Sequence, residues 1–375
     1  MKNIIVDDKN KVRHHFTITD GALICKCGDS SITLTEVCTD VDCCTDEVDG
    51  IYAVAVCEKS IECCYNNGGG WRRYTAVTVK NDNCTISAMR AMCISGRLNM
   101  WYSMDCGDSR ILIHQISDGE DMIGDPYAVG GLGYKKKFEI CCDYDKNTHI
   151  FFVDDEDRLC HMSYLWSEKR YSQREYISDR ISHVSAVANK SGRIYVAAVG
   201  KKAEFNVIYF KELGDEDFRI LGFGVDSCCT ADVIDAGDKI YVQWMDNREC
   251  CECVSSDLGE NFTRPVSVNS MRGGANQTVA YRNSANPLCM GVNRCMCNFA
   301  SKMLHETAIT ESAGELVSMD EEMEDYRKSA EDMQVSFDVA ERLIALENRV
   351  SVIEDYLQNM GVNEENNTDG GLCDE

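Results

Sequence analysis

The stretch Ser255-Ser256-Asp257-Leu258-Gly259-Glu260-Asn261-Phe262 predicts a tight turn between two strands. Ser255 and Asp257 carry short side-chain oxygens that accept hydrogen bonds from turn amides, and Gly259 has no Cβ to oppose a positive φ. Phe262 follows where an aromatic ring can pack beneath the loop. We interpret the stretch as a hairpin turn, and the segments around it decide what the turn connects.

A short apolar strand that follows a turn residue recurs along the chain. Its six copies lie at residues 49–56, 96–101, 147–153, 192–199, 238–244 and 286–292. The steps between their first apolar residues are 47, 52, 44, 46 and 48, counted through Ile51, Leu98, Ile150, Ile194, Ile240 and Leu288. A repeat of this length, built from short strands and turns, is typical of β-propeller blades. A β-sandwich without repeats would not be expected to keep so even a step.

The strands before the first copy are too few to form a blade of their own. Residues 16–19, 23–25 and 32–34 have strand character, but Leu23 lies only 28 residues before Ile51. We expect these strands to complete the blade begun by residues 270–303, because such closure removes the free sheet edges. The predicted fold class is mainly β, a six-bladed β-propeller over residues 1–304, with seven blades as the alternative.

The turn at residues 255–262 resembles the Asp box, the Ser-x-Asp-x-Gly-x-x-aromatic motif of sialidase-like β-propellers. A degenerate version occurs at 64–71, where Asn replaces Asp, and a partial one at 103–107. In that family the box is a structural turn placed away from the active face. The resemblance therefore implies architecture and not catalysis.

The same resemblance raises the question of sialidase activity. That family binds a sugar carboxylate with three arginines, and it uses a Tyr–Glu pair and an acidic Asp. The nearest string to its arginine motif, residues 218–221, lacks the proline, and Arg72 and Arg73 follow Trp71 on what would be the wrong side of the blade. We therefore predict no catalytic residues and no enzyme, with a sialidase-like glycosidase as the alternative.

Charge and cysteine content narrow the partners and the setting. Lys and Arg number 38 against 63 Asp and Glu, a formal net charge of −25, which disfavours nucleic acid and anionic membranes as partners. We expect neither a signal peptide nor a membrane-spanning segment, because no apolar run is long enough. Most of the 23 cysteines are expected to be reduced, small strand residues, because adjacent pairs such as Cys43-Cys44 point to opposite faces of a strand.

The acidic clusters raise the question of a bound Ca²⁺ ion. Asp40, Asp42, Asp46 and Asp49 supply the oxygen ligands that Ca²⁺ prefers, but they lack the ordered spacing of an EF-hand loop. We interpret them as solvated loop acids, like the cluster at residues 154–157. We predict no cofactor and no metal site, and Ca²⁺ remains without support.

After residue 304 the pattern changes to that of a long helix. Residues 305–360 are acidic, and no Gly or Pro interrupts residues 315–360, which would span roughly 70 Å as one helix. The second half carries apolar residues at alternating steps of 4 and 3, a coiled-coil seam formed by Val339, Leu343, Leu346, Val350, Ile353, Leu357 and Met360. A helix folded back on its own propeller is the alternative. Residues 361–375 are predicted to be a disordered tail.

Two segments of that helix resemble the Arg-h-x-x-h-Glu trimerisation motif of short parallel coiled coils. Arg342 pairs with Glu347 in the first copy, and Arg349 with Glu354 in the second. In that motif the arginine bonds to a neighbouring chain's glutamate while its stem covers the seam. The resemblance implies a parallel homotrimer.

A propeller followed by a trimeric coiled coil resembles a phage tail fibre or another receptor-binding protein of a phage-tail-like particle. We expect a non-enzymatic appendage of a virion or particle, made in the bacterial cytoplasm, with other tail or baseplate proteins as partners. It would bind a cell-surface glycan or protein multivalently. Because sugars stack on aromatic rings, the candidate contact residues are Trp71, Tyr102, Trp166 and Trp244. An intracellular propeller scaffold is the further alternative.

Overall fold

The computed structural model describes residues 3–296, apart from 8–11, 47–49, 118–122, 134–136, 190–191, 203–204, 225–228, 237–238, 247–248, 269–277, 284–292. The predicted helix at 305–360, its seam and trimer motifs, and the tail at 361–375 lie outside the described residues, as does the repeat copy at 286–292. No helix in the described part of the chain is long and apolar enough to cross a membrane.

The described strands form six sheets, which we call blades 1 to 6 in chain order, and all their strand pairings are antiparallel except one in blade 1. Blade 1 begins with β1 (Asn3–Asp7), β2 (Arg13–Thr19), β3 (Ala22–Cys27) and β4 (Ser30–Thr35). Blade 2 contains β5 (Asp40–Thr45), β6 (Ile51–Cys57), β7 (Ser60–Asn66) and β8 (Trp71–Thr78). Blade 3 contains β9 (Cys84–Ile94), β10 (Arg97–Cys106), β11 (Ser109–Ser117) and β12 (Tyr127–Gly131).

The second half of the ring repeats this plan. Blade 4 contains β13 (Phe138–Cys142), β14 (Thr148–Val153), β15 (Leu159–Leu165), β16 (Arg170–Tyr171) and β17 (Glu175–Ser178). Blade 5 contains β18 (Ile181–Ala188), β19 (Ile194–Lys202), β20 (Phe205–Glu212) and β21 (Arg219–Gly224). Blade 6 contains β22 (Thr230–Asp235), β23 (Ile240–Asp246), β24 (Glu249–Ser255) and β25 (Val266–Val268). The last strands, β26 (Thr278–Asn283) and β27 (Asn293–Met296), return to blade 1.

The blades follow one another around a closed ring. First strands of neighbouring blades contact each other, β5 with β9, β13 with β18, and β18 with β22, while β1 contacts β5 and β22 contacts β27. The ring closes because β26 pairs in parallel with β1, so that both ends of the described chain share one sheet. This confirms the predicted six-bladed propeller and its closure by the N-terminal strands. Each described copy of the repeated apolar strand is the second strand of its blade.

Successive side chains of a strand point to opposite faces of the sheet, and in the inner strands both faces are apolar. Each blade is packed between two others, so both faces of its inner strands are buried. The adjacent cysteines show this directly: Cys43 packs in the core between blades 1 and 2, and Cys44 packs in the core between blades 2 and 3. Cys63 and Cys64 are divided between the same two cores in the same way.

The described cysteines are mostly buried free thiols, as the sequence predicts. Cys27 and Cys57 are the partly exposed ones. Burial raises the pKa of Cys63, Cys64 and other buried thiols to about 12, which keeps them protonated. Cys84 and Cys106 differ, because they face each other across β9 and β10 and form a disulfide.

The stretch at 255–262 forms the predicted turn, between β24 and β25. Ser255 Oγ accepts a hydrogen bond from the Gly259 amide at 2.8 Å, and Asp257 Oδ1 accepts one from the Asn261 amide at 2.8 Å. Gly259 has a φ of 91°, in the region that favours glycine. The Phe262 ring packs against Phe210 of blade 5 at 4.7 Å between centroids. The turn therefore also fastens blade 6 to blade 5.

Two of the acids assigned to solvated loops instead lie on the first strand of blade 2. Asp40 Oδ2 accepts a hydrogen bond from the Met89 amide at 2.9 Å, and Asp42 Oδ2 accepts one from the Ala91 amide at 2.8 Å. Asp42 is fully buried. The prediction was wrong here because β9 is the last strand in its sheet, and side-chain oxygens of the neighbouring blade accept hydrogen bonds from its amides.

The same kind of contact recurs between later blades. Arg90 of β9 makes a buried bidentate pair with Glu139 of β13, with nitrogen–oxygen distances of 2.9 and 3.3 Å. Ser185 Oγ of β18 accepts a hydrogen bond from the Val233 amide of β22 at 3.2 Å. Polar residues near the axis therefore join consecutive blades.

The remaining acids have local structural partners. Asp46 accepts hydrogen bonds from the Gly50 amide at 2.6 Å and from the Tyr65 hydroxyl at 3.1 Å. Asp154 is buried and pairs with Arg158 at 2.8 Å, which corrects its assignment as a solvated acid. Asp49 lies outside the described residues. In the part of the chain that the structure describes, no group of three or more His, Cys, Asp or Glu side chains is placed to hold a metal ion.

Candidate functional site

A cavity of about 560 Å³ opens in the groove between blades 1 and 2. Blade 1 and the connection that follows it supply one wall, and strands β6 to β8 of blade 2 supply the other. The lining residues are Thr33, Leu34, Thr35, Glu36, Val37, Cys57, Glu62 and Arg73. This volume lies within the range of small-molecule sites, roughly 300–1,000 Å³.

The outer strand of blade 1 shapes its wall by means of a bulge. Thr33 pairs with Ile24 and Thr35 pairs with Leu23, so the register skips Leu34. A bulge turns the strand and leaves a carbonyl outside the ladder. Leu34 O instead accepts hydrogen bonds from Arg73 Nη1 at 3.4 Å and Cys64 Sγ at 3.9 Å, both from blade 2.

The opposite wall carries a paired guanidinium and carboxylate. Glu62 lies on β7 opposite Thr75 of β8, two residues beyond Arg73, so period-two alternation places all three side chains on the face toward blade 1. Arg73 Nε lies 3.6 Å from Glu62 Oε2, and the hydroxyls of Thr75 and Ser60 donate to Glu62 Oε1 at 2.9 and 3.4 Å. The Arg73 side chain is 56% exposed and that of Glu62 is 13% exposed. The carboxylate is therefore held firmly while the guanidinium remains accessible.

The rest of the cavity mixes hydroxyl and apolar groups. Thr35 Oγ1 donates to Val37 O at 3.2 Å and lies 3.7 Å from Cys57 Sγ. Burial raises the pKa of the Cys57 thiol, so that this group faces the cavity in its neutral form. Val37 is 56% exposed at the rim and offers an apolar surface. The site as a whole supplies donors, acceptors and one apolar contact.

The equivalent groove between blades 5 and 6 is filled. Trp244 is the fifth residue of β23, as Ala55 is the fifth residue of β6, and it is 1% exposed. Its indole lies so close to Gly222 that a Cβ there would come within 2.6 Å of the ring. Between blades 3 and 4, the Tyr171 hydroxyl reaches His114 Nδ1 at 2.6 Å across the groove. These two grooves are therefore filled or bridged by side chains where the groove between blades 1 and 2 holds a cavity.

The four aromatic residues predicted from the sequence do not gather in one place. Tyr102 is 3% exposed and its hydroxyl donates to Gln115 at 2.9 Å, while Trp244 is fully enclosed. Trp71 is partly buried against Phe16 at 5.8 Å. Trp166 is partly buried beside Tyr164. Tyr102 and Trp244 do not enter the site proposed below, because neither ring offers a face to a ligand.

Sequence reasoning missed the residues that form the cavity. In the sequence Arg73 stands out only through the resemblance to a sialidase arginine set, and no motif marks Glu62. Their relation depends on the pairing of β7 with β8, and on the approach of Leu34 from 39 residues away. The available signal was weak: an Arg and a Glu on neighbouring strands, at positions that face the same side.

No family model and no curated protein matches the chain. Among solved structures, a mutant of AofleA from Arthrobotrys oligospora is similar with a TM-score of 0.46 and 9% identity, covering 72% of this chain and 86% of that one. The SapL1 lectin in complex with alpha methyl fucoside has a TM-score of 0.46 and 10% identity, covering 73% and 97%. The fucose-recognising Aleuria aurantia lectin, a six-bladed β-propeller, has a TM-score of 0.43 and 9% identity over 73% and 97%. Likenesses this distant give no information on what this chain binds.

Proposed function

We propose that the protein is a non-enzymatic binding module whose cavity between blades 1 and 2 takes a neutral carbohydrate. The observation that carries this proposal is the Arg73–Glu62 pair, 3.6 Å apart on one wall of a cavity of about 560 Å³. A guanidinium only donates hydrogen bonds and a carboxylate only accepts them. A sugar hydroxyl does both, so neighbouring hydroxyls match the pair.

The charge of the pair argues for a neutral ligand. An acidic sugar would bring its carboxylate close to Glu62, and a cationic ligand would meet Arg73, so each would face a like charge. The hydroxyl of Thr35 and the exposed side chain of Val37 add one polar and one apolar contact. Together these groups fit the polar edge and the C–H face of a pyranose ring.

Binding of the full-length protein to an array of neutral and acidic glycans tests the proposal. Arg73→Ala removes a charged donor and is expected to weaken binding of the preferred neutral glycan roughly 10- to 150-fold. Glu62→Gln should weaken it as well. Arg72→Ala is the matched control, because Arg72 is exposed and alternates to the other face of β8.

Equal binding by wild type and the Arg73→Ala variant would overturn this site. Release of free sugar from a bound glycan would overturn the non-enzymatic part of the proposal, and would favour the glycosidase alternative. Binding confined to acidic glycans would contradict the argument from charge.

We further propose that the chain is a receptor-binding appendage of a phage tail or phage-tail-like particle, displayed as a parallel homotrimer. The support is the seam of residues 339–360 and its two Arg–Glu motifs. Three cavities on one stalk would convert weak sugar contacts into firm attachment through effective concentration. Light scattering should give three times the chain mass of 42.1 kDa, and Leu346→Glu should reduce it. A monomer or dimer would contradict the trimer and favour an intracellular scaffold.

A further inference from the structure

Four titratable side chains form a line through blade 4. Asp143 Oδ2 lies 3.2 Å from His149 Nε2, His149 Nδ1 lies 3.0 Å from His161 Nε2, and His161 Nδ1 lies 3.3 Å from Glu175 Oε2. The line joins the turn after β13 to β14, β15 and the outer strand β17. None of these residues belongs to the cavity between blades 1 and 2.

The two imidazole rings meet end to end. Their planes differ by 3° and their centroids are 5.3 Å apart. Because this separation equals the 3.0 Å nitrogen–nitrogen contact plus the radius of each ring, the rings lie nearly in one plane with their nitrogens aimed at each other. In this geometry a proton between His149 and His161 makes a straight hydrogen bond.

The three contacts of the line require three protons. Each of its three contacts needs one hydrogen, and ionised carboxylates supply none. Two neutral imidazoles carry one N–H each, which satisfies two of the three contacts. If both rings are neutral, then either a carboxylate faces a bare nitrogen or two bare nitrogens face each other at 3.0 Å. A third proton satisfies all three contacts.

The hydroxyl of Ser163 does not remove this requirement. Its Oγ lies 3.2 Å from His149 Nδ1 and 3.4 Å from His161 Nε2. It has a single hydrogen to donate, so it cannot serve both nitrogens well, and the two lone pairs would still oppose each other. Ser163 therefore supports whichever central nitrogen is bare.

The groups around the line favour one added proton and oppose a second. Asp143 is further held by the amide and side chain of Asn147, at 2.8 and 3.0 Å. Beyond it, Lys146 donates to Ser95 of blade 3 at 2.8 Å. His161 stacks on Phe151, which belongs to the apolar core between blades 4 and 5. Burial, and then the charge of His149, lower the pKa of His161 to about 4, with Glu175 acting in the opposite direction.

We propose that Asp143, His149, His161 and Glu175 form a proton-binding site that holds one proton more than two neutral imidazoles, shared between the rings. The site then carries two carboxylates and one imidazolium. It ties the β13–β14 turn to β17 through hydrogen bonds that are all satisfied only at this proton count. Adding a further proton places two N–H groups against each other. Removing a proton leaves one of the three contacts without a hydrogen. All three hydrogen bonds between the β13–β14 turn and β17 are therefore formed only within a window of pH around neutrality.

Histidine side-chain NMR of the full-length protein, labelled with ¹⁵N-histidine and titrated from pH 5 to pH 9, tests the proposal. We expect His149 and His161 together to carry one positive charge at pH 7. Removal of this charge should occur as one step that belongs to the pair and not to either ring alone. The His15→Gln variant serves as the reference, because His15 is half-buried on β2 and remote from the line.

The Glu175→Gln variant makes the test specific. Glutamine has almost the same shape, and Glu175 is 70% exposed, so the fold should be retained. Its amide can donate to His161 Nδ1, so two protons on the rings then satisfy every contact, and the extra charge at pH 7 should disappear. Two neutral rings in the wild-type protein at pH 7, or an unchanged charge in Glu175→Gln, would overturn the proposal. A circular-dichroism spectrum equal to that of wild type confirms that the variant is folded.

Discussion

The groove between blades 1 and 2 and the groove between blades 5 and 6 share the same framework and differ in what fills them. In the first, Cys64 Sγ reaches Leu34 O at 3.9 Å, and in the second, Cys253 Sγ reaches Leu221 O at 3.9 Å. Leu34 and Leu221 are both skipped in the strand register, so both grooves are built on the same bulge. The repeat therefore sets the framework in both places.

At both grooves, a similar aromatic contact joins the two blades. Trp71 begins the outer strand of blade 2 and packs edge-on against Phe16 at 5.8 Å. Phe262 follows the equivalent turn in blade 6 and packs edge-on against Phe210 at 4.7 Å. Each groove thus has an aromatic pair that joins the turn to the preceding blade.

Two positions of the repeat differ between the open groove and the filled one. Ala55 stands in blade 2 where Trp244 stands in blade 6, and the residue after the bulge is Thr35 in one case and Gly222 in the other. The indole fills the space beside Gly222, whereas the groove between blades 1 and 2, which has the smaller Ala55 at the equivalent position, holds a cavity that Arg73 and Glu62 line. A propeller repeat can thus keep its backbone while the side chains in each groove differ in the space they fill.

Among the variants that test this comparison, we expect the largest loss of stability from a substitution at Trp244. Trp244→Ala should lower the free energy of unfolding by about 3–5 kcal/mol, because it removes a fully buried ring and leaves a cavity. Urea denaturation measures this loss. Trp244→Phe is the matched control and should cost much less: it keeps most of the volume and removes the indole N–H, which has no hydrogen-bond partner among the described residues. Equal losses in the two variants would contradict the role of Trp244 as filler.

A second prediction concerns pH. Burial lowers the pKa of His114 and His183 to about 3 and that of His161 to about 4, and all three lie in blades 3 to 5, away from the open groove. Between about pH 6.5 and pH 4 the unfolded chain binds protons that the folded chain does not, so stability falls as pH falls. Burial raises the pKa of Asp232 to about 7, which acts in the opposite sense. These four groups together contribute at most about 3 kcal/mol per pH unit to the slope.

Hydrogen exchange at pH 7 and pH 4.5 measures this effect blade by blade. We expect protection to fall first in blades 3 to 5, while the groove between blades 1 and 2 keeps its protection. Uniform loss across the ring, or earlier loss in blade 2, would show that the buried histidines of blades 3 to 5 do not set the pH dependence of stability.

The smallest expected effect is at the turn of blade 6. Ser255 Oγ accepts hydrogen bonds from the amides of Gly259 and Asp257 and donates to Asp257 Oδ1 at 2.7 Å. Ser255→Ala should lower the free energy of unfolding by about 1–2 kcal/mol, because it leaves a buried amide without its partner. Thermal denaturation measures the change, with Ser256→Ala, at an exposed position, as the control. A loss as small as that in the control would show that the backbone alone holds the turn.

The fold was largely predictable because its signals are local and repeated. The spacing from Ile51 to Ile240 predicted the blades, and the short interval before Ile51 predicted the shared closing sheet. Both inferences need only strand periodicity and the rule that sheet edges are paired. The split of Cys43 and Cys44 between two cores followed from the same alternation.

The candidate site was not predictable in the same way. Arg73 gains its partners from Glu62 on the next strand and from Leu34 of another blade, and neither contact leaves a pattern along the chain. The sequence predicts Asp42 to be a loop acid, because it does not show that the Ala91 amide of the next blade donates a hydrogen bond to it. The sequence predicts Trp244 to stack on a sugar, because it does not show that the indole fills the space next to Gly222.

The amino-acid sequence by itself determined where the strands lie, how many residues separate successive blades and where the tight turn forms, because these depend on neighbours within a few residues. Only the tertiary structure decided which groove is open, which charges meet and which histidines share a line. Those outcomes depend on distances between side chains on separate strands and blades, and such distances exist only once the ring has closed.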